Sequence, residues 1–360
     1  MNKTINAHFY YKIILILLIN LIILILIIIK LRIKTGKKIG IVGVRHEYNI
    51  GNNLIKYAIS ITLKELGYIP YIIGTHFENR NITFINQTTN LVIIHNNFSE
   101  IKENDYDALM VNSDQTWRKY KGDHYLYDYG FLKFAENWTI KKFISGASIG
   151  FDSWKLTSED DQIAKKLLNN FTGISVREEG SIKLIEEHFG IKPIYVLDPT
   201  LLIDKKYYLE LIKGFKGKKI MKKKYIFIYN IFVSKYILKA IRKATDYLDC
   251  EYYYFRLNNN SSIQNFIYYM INSEAVITDS FHGTIFSIIF NKPFITMYDK
   301  SNAKERFNSL GNLFGVHERL FEKRKKIDFS QLLKPLNINY NLINKLKQKS
   351  INFIKSNLEK

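Results

Sequence analysis

The segment Val276-Ile-Thr-Asp-Ser-Phe-His-Gly-Thr-Ile-Phe-Ser287 decides the fold class of this chain. It begins with apolar and β-branched residues, breaks into small and polar residues, and resumes as an apolar run that ends at Phe290. This pattern predicts a buried strand, a tight turn, a helix and then a further strand at residues 293–298. Open α/β sheets bind ligands where the carboxyl end of a strand passes into a helix, so this turn is a candidate site.

Four residues of this turn have chemistry suited to an anionic ligand. His282 can exchange protons near neutral pH, which makes it the candidate catalytic residue. Ser280, Gly283 and Thr284 lie at the predicted helix N-terminus, where free N–H groups and the helix dipole favour negative charge. On this pattern alone the alternative stands open: a polar turn whose histidine caps the helix or packs against it.

The same alternation of strand and helix extends on both sides of this segment. Residues 38–44, 53–66 and 68–73 predict a strand, a helix and a strand, and a second series of such units begins at residue 225. Such βαβ units favour parallel sheets with helices on both faces. The predicted fold class is α/β with two Rossmann-like domains, preceded by one N-terminal transmembrane helix. The predicted divisions are residues 38–212 and 225–330 for the domains, 213–224 for a basic linker, and 331–360 for a helical C-terminal segment.

The N-terminal region predicts a membrane anchor. After a short flank at residues 1–12, residues 13–29 form an almost unbroken run of Ile and Leu, long enough to span a bilayer. A buried core helix is the alternative, but a helix that is apolar on every side is unusual in front of a globular domain. More basic residues follow the run than precede it, so the positive-inside rule predicts a single-pass protein of the cell membrane with its globular part in the cytoplasm. The basic residues that follow are Lys30, Arg32, Lys34, Lys37 and Lys38.

Composition limits the remaining classes. The chain has 360 residues, enough for two domains, and its formal net charge is +20. The lysines are spread widely and no nucleic-acid-binding motif is present, so we expect no nucleic-acid partner. The single cysteine, Cys250, excludes an intramolecular disulfide framework and a cysteine-based zinc cluster. No other spacing typical of metal ligands is evident, and no metal or cofactor is expected.

A polar loop after the first strand is a candidate for binding an acceptor or lining a cleft. Asn49, Gly51 and Asn52 in this loop resemble a turn that cradles a ligand, although the spacing of a dinucleotide fingerprint is absent.

A second polar turn follows the strand predicted at residues 108–111. Ser113, Asp114, Gln115 and Trp117 are further candidates for the acceptor or cleft. Asp114 and Gln115 are suited to hydrogen bonds with sugar hydroxyls, and Trp117 to stacking on a sugar face. The alternative is an Asx-capped turn with a packed tryptophan.

Arg177 ends the strand predicted at residues 172–176. Its planar fork suits bidentate binding of a carboxylate or phosphate. The alternative is a salt bridge to Glu178, Glu179 or another acid. Asp198, which precedes Pro199, is predicted to fix a turn.

Six short motifs, taken in order, resemble those of the polysaccharide pyruvyl transferase family. The resemblance extends over roughly residues 38–298 and implies a GT-B-like fold with the active site between its two domains. It also implies transfer of pyruvate from phosphoenolpyruvate to a sugar of a cell-surface polysaccharide or its precursor, with formation of a ketal. The motifs are Asn49-Ile-Gly-Asn-Asn-Leu54, Tyr106-Asp107 with Asn112-Ser-Asp-Gln-Thr-Trp117, Ser145-Gly-Ala-Ser148, Ile174-Ser-Val-Arg-Glu178, Val196-Leu-Asp-Pro-Thr200 and Thr278-Asp-Ser-Phe-His-Gly-Thr284.

The resemblance implies that Arg177 and His282 lie at the phosphoenolpyruvate site. Members of the family often have a second arginine two residues before the histidine, and here that position is Ser280. The enol carbon must be protonated to create a centre that a sugar hydroxyl attacks, and a histidine can take part in this proton transfer. The expected partner is a sugar acceptor, lipid-linked or polymeric, reached at the membrane.

Two other functions remain open from the sequence. The first is a glycosyltransferase or other sugar-modifying transferase on the same fold, which the serine at position 280 favours. The second is a non-catalytic, membrane-anchored protein of glycan assembly, against which the presence of both Arg177 and His282 argues.

Overall fold

A computed structural model describes most of the chain from residue 36 onward. The predicted membrane anchor at residues 13–29 falls largely outside the described residues. Within the described ranges, no helix combines the length and the apolarity that crossing a bilayer requires. These ranges are 14–15, 17–21, 36–43, 49–75, 84–86, 92–95, 97–112, 114–118, 126–150, 153–217, 223–256 and 262–359.

The first half of the chain forms a seven-stranded sheet in the order β3-β2-β1-β4-β5-β6-β7, with every pairing parallel. The strands are β1 (Lys38–Val42), β2 (Ile69–Thr75), β3 (Val92–His95), β4 (Ala108–Val111), β5 (Lys141–Ala147), β6 (Gly173–Val176) and β7 (Ile194–Tyr195). The helices are α1 (Ile50–Glu65), α2 (Leu126–Phe131), α3 (Ser158–Leu168), α4 (Gly180–Phe189) and α5 (Lys205–Glu210).

The second half forms a five-stranded parallel sheet in the order β12-β11-β10-β8-β9. The α/β class with two parallel sheets is therefore confirmed. The strands are β8 (Tyr225–Tyr229), β9 (Glu251–Phe255), β10 (Ala275–Thr278), β11 (Phe294–Tyr298) and β12 (Leu320–Glu322). The helices are α6 (Lys235–Leu248), α7 (Ile263–Ile271), α8 (Phe281–Ile289), α9 (Lys300–Phe314) and α10 (Tyr340–Glu359).

Helix α1 begins earlier than the sequence pattern predicts. It starts at Ile50 because the side chain of Asn49 accepts a hydrogen bond from the Asn52 N–H at 3.0 Å, an N-cap that satisfies one free donor. Gly51 and Asn52 therefore lie in the first turn of a helix, and the prediction that they belong to a preceding loop is wrong. This first turn is buried, which brings it into the candidate site described below.

Among the described residues of the C-terminal segment, the α-helix runs from Tyr340 to Glu359 and a 3₁₀ helix ends at Leu332, so the prediction of a helical segment over residues 331–360 is too long. Helix α10 leaves the second sheet and packs on the first. The Ser350 hydroxyl accepts a hydrogen bond from the Leu197 N–H at 2.9 Å, and the rings of Phe353 and Phe143 lie 6.5 Å apart. The end of the chain thus holds the two halves together.

Helix α9, which the sequence pattern did not indicate, joins the two halves at a second place. The Glu305 carboxylate accepts a hydrogen bond from the Gly180 N–H at 3.1 Å, and the Ser309 hydroxyl accepts one from the Glu179 N–H at 3.2 Å. Both donors lie at the N-terminus of α4, whose free N–H groups and dipole favour a carboxylate. Helix α9 is thereby fixed over the edge of the first sheet.

Candidate active site

The carboxyl edges of the two sheets face each other, and polar residues occupy both edges. On the first sheet, Asp114, Arg177 and Asp198 follow β4, β6 and β7. On the second side, His282 comes from α8 and Arg306 from α9. Side chains of the two halves meet here: Arg306 Nη2 lies 2.9 Å from Asp114 Oδ1, and His282 Nε2 lies 3.7 Å from Asp198 Oδ2.

Arg177 is the centre of this cluster. Its side chain is wholly buried, and it bonds to three carboxylates. Nη1 donates to Asp198 Oδ2 at 2.6 Å, Nε donates to Glu178 Oε1 at 3.1 Å, and Nη2 donates to Asp114 Oδ1. The pairing with Glu178, one of the two alternatives drawn from the sequence, is thus present together with two longer-range pairings. A guanidinium that bonds to three carboxylates mainly fixes the positions of those side chains.

Arg306 brings a second guanidinium to the same place. Besides its bond to Asp114, its Nε lies 3.6 Å from Glu178 Oε1, too long for a hydrogen bond. Both guanidinium groups stack over the ring of Phe281, with the Cζ carbons 4.8 Å and 4.4 Å from the ring centroid for Arg177 and Arg306 respectively. Sequence reasoning missed Arg306, because no motif surrounds it and only the path of α9 places it here.

The two arginines determine the charge state of the carboxylates. Burial raises the pKa of Asp114, but Arg306 and Arg177 outweigh burial and leave its pKa below the ordinary value. Burial acts on Asp198 in the same way, and Arg177 again leaves the pKa lowered. The same carboxylates raise the pKa of Arg177 against the effect of burial. The cluster is therefore fully ionised at these groups near neutral pH.

His282 occupies the first turn of α8, close against the first turn of α1. A Cβ atom on Gly51 would lie 2.1 Å from His282 Nδ1, so only glycine leaves room for the ring. His282 Nε2 is buried and has no hydrogen-bond partner within the described residues. A buried ring nitrogen that points at a carboxylate without bonding to it is suited to take part in proton transfer.

The neighbouring residues of the turn support the helix. Ser280 is the N-cap of α8, and its hydroxyl accepts a hydrogen bond from the Gly283 N–H at 3.3 Å. The Thr284 hydroxyl donates to the Ser280 carbonyl at 3.0 Å and lies 2.7 Å from the Thr296 hydroxyl. Ser280, Gly283 and Thr284 thus use their polar groups to form the turn that carries His282.

The two polar loops expected to form an acceptor site do meet. The Asp114 N–H donates to Asn52 Oδ1 at 3.4 Å, which links the first turn of α1 to the turn after β4. Gln115 adopts a left-handed backbone with φ of 47°, and its side chain accepts a hydrogen bond from Arg118 Nη1 at 2.5 Å. Ser113, the remaining candidate in this turn, lies outside the described residues.

Trp117 takes the second of the two alternatives drawn from the sequence, a packed tryptophan, and not the sugar-stacking position that would make it a residue of the acceptor site or cleft. It is 2 % exposed, its Nε1–H donates to the Gly130 carbonyl at 3.0 Å, and its ring stacks on Phe131 at 5.5 Å. The structure therefore places this ring in the hydrophobic core, where both faces are covered, and it is not available for stacking on a sugar.

Several buried polar atoms around the cluster have no hydrogen-bond partner within the described residues. Buried polar groups in native structures are usually satisfied, so a concentration of unsatisfied atoms at one place indicates where a polar ligand would bind. Those at or near the facing sheet edges are His282 Nε2, Arg306 Nε, Asn112 Oδ1, Ser148 Oγ, and both amide atoms of Asn53 and Asn230.

Helix α1 also carries a buried polar face that sequence reasoning did not use. Asn52, Asn53, Lys56 and Ser60 recur at helical spacing and are all buried. Burial lowers the pKa of Lys56 to about 7, so this side chain can change protonation near neutral pH. The spacing of these four polar residues is the sequence signal that identifies this face.

Replacement of Gly51 with alanine tests the packing of His282. We expect the added methyl group to displace the ring, to lower the free energy of unfolding by about 1–3 kcal/mol, and to reduce activity. Urea unfolding of Gly51→Ala, His282→Ala and the double variant forms a double-mutant cycle. If the clash is the cause, the alanine at position 51 costs little once the ring is removed. An equal cost in both backgrounds would contradict this packing.

Two parallel sheets with facing carboxyl edges and a buried ionic cluster between them define the class of protein: a two-domain α/β protein of GT-B-like architecture. The particular family follows from sequence comparison. The profile of the family described as polysaccharide pyruvyl transferase matches residues 49–301, and the chain belongs to this family. The match includes Arg177 and His282 and ends before Arg306. The protein is thus a transferase by family, as its motifs indicate.

Solved structures of low sequence identity share the fold. The UDP-GlcNAc 2-epimerase from Methanocaldococcus jannaschii is similar with a TM-score of 0.57 at 14% identity, over 89% of this chain and 99% of that one. The UDP-GlcNAc 2-epimerase from Neisseria meningitidis bound to UDP-GlcNAc gives 0.53 at 15% identity, over 90% and 93% of the two chains. At this identity the likeness concerns the fold alone. The comparison with curated protein sequences gives no match.

Proposed function

We propose that this protein transfers pyruvate from phosphoenolpyruvate to two hydroxyls of one sugar, forming a ketal on a cell-surface polysaccharide or its precursor. The observation that carries the proposal is that two buried arginines and His282 lie in one cluster. The Nε2 atom of His282 has no hydrogen-bond partner within the described residues. Phosphoenolpyruvate bears a carboxylate and a phosphate, and its reaction needs a proton donor to carbon. Cations and a proton-exchanging ring at one site supply both requirements.

We assign direct contact with the donor to Arg306 and a positioning role to Arg177. Arg177 already bonds to three carboxylates and is wholly buried, whereas Arg306 Nε has no hydrogen-bond partner within the described residues. Ser280 occupies the position at which the family often has a second arginine, and Arg306 stacks on Phe281, the next residue. Arg306 thus brings a guanidinium from another helix onto the ring of the residue next to Ser280.

The reaction balances without a cofactor. Protonation of the methylene carbon of phosphoenolpyruvate leaves a positive centre at the adjacent carbon, which the first sugar hydroxyl attacks with loss of its proton. The second hydroxyl then displaces phosphate at that carbon, and its proton leaves with the phosphate. We assign to His282 the delivery of the proton to carbon, with Asp198, 3.7 Å from Nε2, stabilising the protonated ring.

We further propose that the acceptor is lipid-linked or polymeric and is reached at the cytoplasmic side of the cell membrane. The apolar run at residues 13–29, followed by basic residues, supports this arrangement. A labelling experiment on single cysteines that placed the globular part outside the cell would contradict it.

The assay that tests the function incubates the full-length protein with phosphoenolpyruvate and a panel of lipid-linked and nucleotide sugars. We expect release of phosphate that depends on one acceptor, together with a product whose mass corresponds to a pyruvate ketal. A glycosyltransferase, the other enzyme indicated by the sequence, would instead release a nucleotide from a nucleotide sugar in the same panel. Turnover of a nucleotide sugar without any phosphate release from phosphoenolpyruvate would overturn the proposal.

Arg306 provides a sharper test of the donor site. We expect Arg306→Met to raise the KM for phosphoenolpyruvate about ten- to a hundredfold, the effect of losing one charge-assisted hydrogen bond of about 1.5–3 kcal/mol. Arg306→Lys should restore part of the affinity, because the charge is kept but the planar fork is lost. The matched control is Lys349→Met, which removes an exposed cation of α10. An unchanged KM in Arg306→Met would remove Arg306 from the donor site.

A further inference from the structure

The second half of the protein has an exposed apolar loop beside a surface of unpaired cations. The loop follows β8 and consists of Ile231, Phe232 and Val233, whose exposed fractions are 46%, 66% and 61%. Three consecutive apolar side chains exposed to this extent are unusual on a water-facing surface. The loop therefore needs an explanation other than packing within the chain.

The loop is held in this exposed position by hydrogen bonds. The Asp279 carboxylate accepts one from the Ile231 N–H at 2.6 Å and one from the Phe232 N–H at 3.0 Å. Asp279 directly precedes Ser280, the N-cap of the helix that carries His282. Asp279 thus ties the apolar loop to the turn that carries His282, and the loop lies beside the candidate active site.

The cations beside the loop come from two elements. Helix α6 presents Lys235, Lys239 and Lys243, spaced four residues apart on one exposed face. The turn after β12 adds further exposed cations at positions 324, 325 and 326, and the Tyr236 hydroxyl joins the two elements by donating to the Lys325 carbonyl at 2.6 Å. In the described part of the chain, none of these six cations forms an ion pair. We call the six residues the basic face: Lys235, Lys239, Lys243, Arg324, Lys325 and Lys326.

A groove of about 430 Å³ runs through the basic face. Its aromatic walls include Tyr247 and Phe329, four of the six cations line it, and no acidic residue does. Asp299 and Glu322 line an adjoining depression, and Lys323 lies 3.5 Å from Asp299. Lys323, which directly precedes Arg324 of the basic face, also lies 5.5 Å from the ring of Phe232. The loop and the basic face therefore form one continuous surface.

We propose that this surface docks on an anionic lipid bilayer, with residues 231–233 inserted among the acyl chains and the basic face on the head groups. Cations with adjacent exposed apolar side chains are the combination that binds anionic membranes. An anionic glycan would account for the cations but leave the three apolar side chains exposed. The predicted anchor at residues 13–29 would hold the protein near the bilayer, and docking would turn the edge that carries His282 toward a lipid-linked acceptor.

The test measures the position of the loop in the full-length chain inserted in vesicles. A cysteine introduced by Phe232→Cys in a Cys250→Ala background is labelled with an environment-sensitive fluorophore. We expect strong quenching by nitroxide-labelled lipid in vesicles of phosphatidylglycerol and phosphatidylcholine, and weak quenching in phosphatidylcholine alone or after addition of salt. The matched probe, Leu342→Cys on α10, should be quenched weakly in every vesicle. Since the anchor is present throughout, differences report docking alone.

Charge reversal separates docking from tethering. We expect Lys239→Glu, Lys243→Glu and Lys325→Glu together to lower the ratio of docked to undocked protein at least about tenfold. Equal quenching of the probe at position 232 in all vesicles, or protection of this probe by an anionic polysaccharide but not by lipid, would overturn the proposal. The matched control reverses three lysines of α10: Lys345, Lys347 and Lys349.

Discussion

Replacement of His282 with alanine is expected to lower the rate of phosphate release from phosphoenolpyruvate by about a hundred- to ten-thousandfold. The physical reason is the position of the ring. Its Nε2 is buried, has no hydrogen-bond partner within the described residues, and lies 3.7 Å from Asp198 Oδ2. Loss of the ring removes the group to which we assign protonation of the enol carbon, whereas the arginines that hold the donor remain.

The expected signature is a fall in kcat with little change in the KM for phosphoenolpyruvate, because the lost interaction acts on proton transfer and not on binding. Steady-state phosphate release, with unfolding followed by circular dichroism to confirm the fold, measures both. His317→Ala is the matched control, because His317 is exposed and has no role assigned to it, and this variant should leave kcat unchanged. Full activity of His282→Ala would show that another group delivers the proton.

The local pattern around residues 276–298 was sufficient to predict the part of the fold that carries His282. A buried strand, an N-capped helix and a following strand each have a strong short-range signal, and the structure confirms β10, α8 and β11 at these positions. The start of α1 was predicted three residues too late, because a capping side chain at Asn49 decides where the helix begins. Caps depend on one hydrogen bond and are weakly visible in a hydrophobic pattern.

The site was predictable only in part. Arg177 and His282 each follow a strand. Open α/β sheets bind ligands at the carboxyl ends of their strands, so the sequence indicates both residues as candidates. Nothing local indicates that Arg306 meets Asp114, since the two are 192 residues apart in sequence and come together through the packing of α9 across the domains. The burial of Trp117 also depends on tertiary packing. A tryptophan in a polar turn is compatible with exposure or with packing, and its contact with the Phe131 ring decides for packing.

Replacement of Arg177 with methionine is expected to have the largest effect on stability. The variant leaves Asp198 and Glu178 buried without their main cation, while Asp114 keeps Arg306. Removal of one partner from a buried ion-pair cluster costs about 3–5 kcal/mol of the free energy of unfolding at neutral pH. Activity should fall as well, since the side chains that Arg177 positions form the candidate donor site. Urea unfolding at pH 7 measures the loss.

The pH dependence distinguishes this mechanism from a simple packing defect. In the wild type, the pKa values of Asp114 and Asp198 lie below their ordinary value of 3.8, so these groups contribute stability above that pH and lose it as pH falls through the lower, folded-state values. In Arg177→Met, burial acts on Asp198 without Arg177 to oppose it, and its pKa should rise. The folded variant then binds a proton more readily than the unfolded chain. The difference in the free energy of unfolding between the wild type and Arg177→Met should therefore become smaller as pH falls from 7 toward 5.

Asp198→Asn in the Arg177→Met background is the matched control. Asparagine keeps the oxygen that accepts a hydrogen bond from the Thr200 N–H at 2.9 Å, so the turn is preserved while the unpaired charge is removed. We expect the double variant to recover part of the lost stability at pH 7 and to show little change of the deficit between pH 7 and 5. If the two variants have the same stability at both pH values, the cost of removing Arg177 lies in lost packing, and Asp198 does not depend on Arg177 for its charge.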